Sequence, residues 1–200
     1  MTALSGSIPA LSEPAPQIRP RVLLVGTVVA SAAAVMAFAG MVALYLAVRA
    51  ETIAETGSWL PEGVDIPLLP ANMGLVTLAM SAITMHWALY SIGNDDRRNT
   101  YLALGVTLVL GLAFINGMAF YFTQIGLAVN EPAGVLVYGI VGSYLAMVGA
   151  GLLFAALMAF RALGGQYSAR DHEGIAAATL FWYVTTAMYV VVWLAIFVTK

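Results

Sequence analysis

Few side chains in this chain could do chemistry inside a membrane. Ionisable groups in apolar runs are costly and mark function by default. Only His86 meets that description, with Asn116 and Gln124 as neutral polar groups. A histidine can hold haem or a metal, but such sites take further ligands. The other histidine, His172, lies in a polar loop far along the chain. The absence of cysteine removes disulfides, thiolate ligands and cysteine nucleophiles. No apolar run carries an acid that could relay protons. These residues predict no catalytic, cofactor-binding or metal-binding site, and a His86 that is packed and hydrogen-bonded or reaches the interface.

The remaining polar candidates sit at the ends of apolar runs. Arg49, Arg97, Arg98 and Arg161 can snorkel or meet phosphate headgroups. With His172 they are the candidate lipid-binding residues, and topology anchoring is their plainer role. Gly105, Gly111 and Gly117 recur every six residues, and Gly139, Gly142, Gly149 and Gly151 follow in the next run. Small residues let helices approach closely, within the chain or against a partner. Trp182, Tyr183, Tyr189 and Trp193 stud the last run, where some belong at interfaces.

These residues hang on an unusually apolar scaffold. Of 200 residues 62% are hydrophobic and 9% charged, where a soluble domain has about 25% charged residues. Charge is absent over 22–48, 66–94, 99–130, 132–160 and 174–199, each longer than the ~20 apolar residues that cross a hydrocarbon core. The runs are apolar all round rather than alternating, which favours helices over barrel strands. The expected fold is all-α: a polytopic bundle of five transmembrane helices at about 22–48, 68–92, 100–127, 134–161 and 174–199. A polar, proline-rich tail over 1–21 precedes it, and acidic residues mark the 49–67 loop. An N-terminus in the cytoplasm puts Arg19, Arg21, Arg97, Arg98, Arg161 and Arg170 inside against Arg49 and Lys200 outside, in keeping with the positive-inside rule. The net charge of −2 gives no reason to expect a nucleic-acid partner.

The segment from His172-Glu173-Gly174 through Ala176-Ala177-Ala178 to Phe181-Trp182 resembles the last helix of subunit III of the haem–copper oxidases. Met36-Ala37-Phe38-Ala39-Gly40, with Arg49-Ala50, is similar to that family's Met-Phe-Phe-Ala-Gly helix and its exit. Leu78 to Thr84, the charged turn Asp95-Asp96-Arg97-Arg98 and Gly111-Leu112-Ala113-Phe114 continue the pattern in order. The resemblance covers about 22–200 and matches the short bacterial form with five helices. The family's buried polar positions fall on Ala34, Met118, Tyr121, Tyr144, Met147, Ala176, Tyr183 and Thr186, so apolar and small-residue packing is expected to replace them. The resemblance implies a non-catalytic accessory subunit of a respiratory terminal oxidase in the bacterial cytoplasmic membrane. Electron transport to oxygen, coupled to proton translocation, then uses haem and copper on partner subunits I and II. It implies phospholipid in a cleft, with spans 1–2 apart from spans 3–5, support for oxygen delivery, proton uptake and durability of the catalytic subunit, and a place in a larger supercomplex. A quinol oxidase or nitric oxide reductase component, or a small transporter, is the alternative.

Overall fold

A computed structural model describes residues 21–61, 63–64 and 66–199. Residues 1–20 of the expected tail, Arg19 among them, and Glu62, Asp65 and Lys200 lie outside the described residues. Five helices follow in order: α1 Val22–Thr56, α2 Leu68–Gly93, α3 Arg97–Gln124, α4 Pro132–Leu163 and α5 Glu173–Val192. A π-helical turn, Trp193–Val198, extends α5. With that turn counted, all five are long and apolar enough to cross a membrane.

Helix ends follow local chemistry. α1 outlasts its apolar run by two turns, carrying Arg49, Glu51 and Glu55, so the connecting loop begins at Gly57 rather than at 49. Arg-Ala-Glu is a strong helix-forming run, and nothing before Gly57 breaks it. Gly57 takes the left-handed conformation (φ 80°) and its N–H returns to the Ile53 carbonyl at 2.9 Å, a glycine C-cap. Asp96 starts α3 by accepting the Asn99 N–H at 3.1 Å, as an N-cap does. Pro132 opens α4, where its missing N–H is no loss.

Cross-links show which ends meet. The Glu173 carboxylate accepts the Leu24 N–H at 3.0 Å, and the Asp95 carboxylate accepts the Ala169 N–H at 2.7 Å. The Tyr101 hydroxyl donates to the Ala162 carbonyl at 3.1 Å. The starts of α1, α3 and α5 and the ends of α2 and α4 therefore share one end of the bundle, called here the near end. α2 packs on α3, α3 on α4, α4 on α5, and α5 back on α2, closing a four-helix ring. α1 lies outside that ring, against α5 and to a lesser extent α4.

This arrangement corrects the expected grouping of the first two spans apart from the last three. Among the described residues α1 and α2 make no substantial contact, while α2 and α3 form the most extensive pair. The physical reason is chain length: residues 94–96 close a tight turn that forces α2 onto α3, whereas 57–67 lets α1 dock elsewhere.

Candidate functional site

The ring is filled by aromatic side chains. Trp182 of α5 is wholly buried, and its indole N–H donates to Ser81 Oγ of α2 at 3.0 Å. Ser81 in turn donates to the Leu78 carbonyl at 2.7 Å. Glycines make room for that ring: a β-carbon at Gly151 would stand 3.0 Å from Trp182 Cε3, and one at Gly111 would meet Leu152 and Trp182. One to two turns further along α5, Tyr144 donates to the Thr185 carbonyl at 2.9 Å and Tyr189 to the Ala71 carbonyl at 2.9 Å. Phe38, Phe114, Tyr144 and Tyr189 stack edge-on or tilted with centroids 5.1–6.1 Å apart, the separations aromatic pairs prefer.

At the family's polar positions, methionine, alanine and tyrosine side chains pack the core. Tyr144 sits where α1, α3 and α5 converge, and Tyr121 is buried against Phe197. Met118 and Met147 are buried, Ala34 packs on the core, and Thr186 donates to the Trp182 carbonyl at 3.0 Å. Both tyrosines supply ring volume; the Tyr144 hydroxyl reaches a carbonyl, whereas the buried Tyr121 hydroxyl has no partner among the described residues.

The glycines also divide. Six residues at 100° each rotate a helix face by about 240°, so Gly105, Gly111 and Gly117 point three ways. Only Gly111 is packed; Gly105 and Gly117 face open space, as do Gly139, Gly142 and Gly149. Asn116, beside Gly117, is exposed on the outside of α3.

His86 lies on the outer face of α2, where its Nδ1 is 2.7 Å from the Tyr183 hydroxyl of α5. That matches the expectation of a hydrogen-bonded histidine. Among the described residues no group of three or more histidines, cysteines or carboxylates could hold a metal ion. Gln124 Nε2 donates to Thr123 Oγ1 at 3.5 Å.

The candidate lipid residues fall at both ends. Arg97, Arg98, Arg161 and His172 share the near end. Arg161 donates to Gln166 Oε1 at 2.8 Å and lies 5.4 Å from the centre of the Tyr167 ring. The Arg97 guanidinium borders the Gly165 turn. Burial pushes the Tyr167 phenol up; the Arg161 guanidinium opposes that, and Asp171 and Glu173 add to it. Arg49 stands alone at the far end. Sequence reasoning missed two structural residues of the near end, Asp95 and Glu173. Asp95 holds a left-handed backbone (φ 55°) that aims its carboxylate at the opposite loop.

The fold is thus that of a multi-pass helical membrane protein with a sealed aromatic interior. Residues 19–200 match the family model described as cytochrome c oxidase subunit III. The chain belongs to that family. It is 29% identical to cytochrome c oxidase subunit 3 of Synechocystis sp., over 80% of this chain and 68% of the relative. Identity is 24% to the subunit 3 of Thermostichus vulcanus, over 80% of this chain and 79% of the relative. It is 29% to that of Oncorhynchus mykiss, over 78% of this chain and 60% of the relative.

Proposed function

We propose that this chain is the accessory, non-catalytic subunit III of a respiratory terminal oxidase in a bacterial cytoplasmic membrane. The family match over 19–200 carries the reading. In it, haem and copper reside on subunits I and II, and this chain packs against the larger subunit with phospholipid at its surface.

The outward side of α3 supports the packing role. Gly105, Gly117 and Asn116 lie exposed there among large apolar side chains such as Val109, Leu112 and Phe120. Small residues and a carboxamide that faces outward suit a partner helix better than lipid tails. Arg97, Arg98, Arg161 and His172 at one end, and Arg49 at the other, suit lipid phosphates. The chain supports the catalytic subunit by holding lipid and shielding its flank, which aids oxygen delivery, proton uptake and durability.

Purification of the tagged chain in mild detergent tests this. Co-elution of a copper-containing partner with haem a or haem b, and oxygen consumption with reduced cytochrome c, is the expected result. Activity with quinol alone, or with nitric oxide, moves the chain to a related complex. A chain that elutes alone and supports substrate uptake overturns the reading.

A further inference from the structure

Polar groups that face hydrocarbon are costly and mark function by default. His86 and Tyr183 meet on the outer face of the bundle, across the seam between α2 and α5. His86 stands seven residues before the end of α2, about 10 Å in, and Tyr183 ten residues into α5, about 15 Å. In a hydrocarbon core about 30 Å thick, that is deeper than the belt where tyrosine marks an interface. His86 Nδ1 is 2.7 Å from the Tyr183 hydroxyl, and the two rings stack with an interplanar angle of 29°. A phenol is a stronger acid than a neutral imidazole N–H, so Tyr183 donates, Nδ1 accepts, and Nε2 carries the ring proton. The imidazole is exposed, and Nε2 has no hydrogen-bond partner among the described residues.

This pairing sets Tyr183 apart from the other phenols. Tyr101, Tyr138, Tyr144 and Tyr189 donate to backbone carbonyls, and Tyr167 donates to the Met158 sulfur. Carbonyls and thioethers are too weak as bases to take a proton. Tyr90 is 68% exposed, near the end of α2, with no base on its hydroxyl among the described residues. Only the Tyr183 hydroxyl is held on an imidazole, a base with an ordinary pKa of about 6.5. That difference governs one reaction. Losing an electron makes a phenol strongly acidic, so the loss is easy only where a base takes the proton at the same time. Hydrocarbon holds no water to do so.

We propose that His86 and Tyr183 form a proton-coupled electron donor that reduces organic peroxyl radicals at the lipid-facing surface of the chain. One electron passes from the Tyr183 phenol to the peroxyl radical. The phenolic O–H bond breaks as its proton moves to His86 Nδ1. The Nε2 proton passes to the terminal peroxyl oxygen and forms the O–H bond of a hydroperoxide. The products are one hydroperoxide, a neutral Tyr183 phenoxyl radical and the other neutral tautomer of His86. No ion is left in the hydrocarbon, where it would be costly. The exposure of both side chains gives the oxidant access. This activity is separate from oxygen reduction and does not depend on which complex the chain serves.

The test places the full chain, with any partners that co-purify, in vesicles of polyunsaturated phosphatidylcholine. A lipid-soluble azo initiator then releases peroxyl radicals at a constant rate. Conjugated-diene formation should be delayed, and electron paramagnetic resonance of frozen samples should show a tyrosine phenoxyl radical. Tyr183→Phe should remove both the radical and the delay. His86→Gln keeps a hydrogen-bond acceptor but no base, and should slow trapping about a hundredfold, the low end of what a positioned acid–base group contributes. Tyr90→Phe removes an exposed phenol that lacks an imidazole, and should leave both readouts unchanged. Unfolding midpoints in detergent identify the folded variants, and Tyr183→Phe or His86→Gln decides the matter alone if the other misfolds. No delay from the parent chain, a radical that persists in folded Tyr183→Phe, unchanged trapping in folded His86→Gln, or loss of the radical in folded Tyr90→Phe would each overturn the proposal.

Discussion

Single residues in this bundle matter most where a methyl group has nowhere to go. Gly111 and Gly151 face Trp182 from two helices, and the tryptophan is locked to Ser81. Gly111→Ala should cost about 1–3 kcal/mol, the usual effect of overfilling a packed core. Thermal unfolding in detergent would show it as a lower midpoint; an unchanged midpoint would contradict the packing described. His86 is the opposite case. Among the described residues its one hydrogen-bond partner is Tyr183, and both lie at the outer face. Buried polar pairs between membrane helices average about 0.6 kcal/mol, so His86→Ala should lower stability by no more than about that and leave oxidase turnover near its parent value. Loss of turnover in a fully assembled complex would make His86 a functional group.

Helix ends carry the next level of stability. α1 has no side-chain cap of its own. Glu173, at the start of α5, supplies one from a distance by accepting the Leu24 N–H. The neighbouring Gly174 is needed because the Tyr167 hydroxyl and Met158 sulfur fill the place of a side chain. So the His-Glu-Gly run ties α1 to α5 at the near end, where α1 is held only from outside the ring. Removing a cap costs about 0.5–2 kcal/mol, and Glu173→Ala should loosen α1 selectively. Hydrogen exchange should accelerate in the first turns of α1 and stay slow in α3; uniform exchange across both would refute the cap. On α3, the faces separate two roles that one repeat had merged. Gly117→Leu should leave the chain's own unfolding midpoint unchanged, since a side chain there meets open space, yet reduce recovery of the partner subunit on affinity purification. Undiminished recovery would remove that face from the interface.

For the whole molecule, the placement of charge predicts a direction across the membrane. Arg21, Arg97, Arg98, Arg161 and Arg170 gather at one end of the described bundle, and Arg49 at the other. That asymmetry predicts that the near end faces the cytoplasm. A cysteine at Glu55 should react with an impermeant thiol reagent in intact cells, and one at Asn94 should not. The reverse pattern would invert the topology.

Much of this was legible in the sequence. Long charge-free runs specify spanning helices because a bilayer offers no water to unpaired backbone groups, so the number and approximate places of the helices follow from composition alone. The tight charged turn at Asp95 and Asp96 likewise specifies that α2 and α3 are neighbours. The order of motifs was enough to point to the family. Other features were decided only by tertiary structure. Helices that are apolar on every side carry little amphipathic signal, so nothing in the local pattern tells Gly111 from Gly117 or shows that α1 docks on α5. Glu173 reads as one more loop acid until α1 is placed beside it. Tyr45 and Trp59 look like ordinary interface residues, and their rings are buried edge to face only once the end of α1 and the loop after it are folded together, because burial is a property of the packed chain.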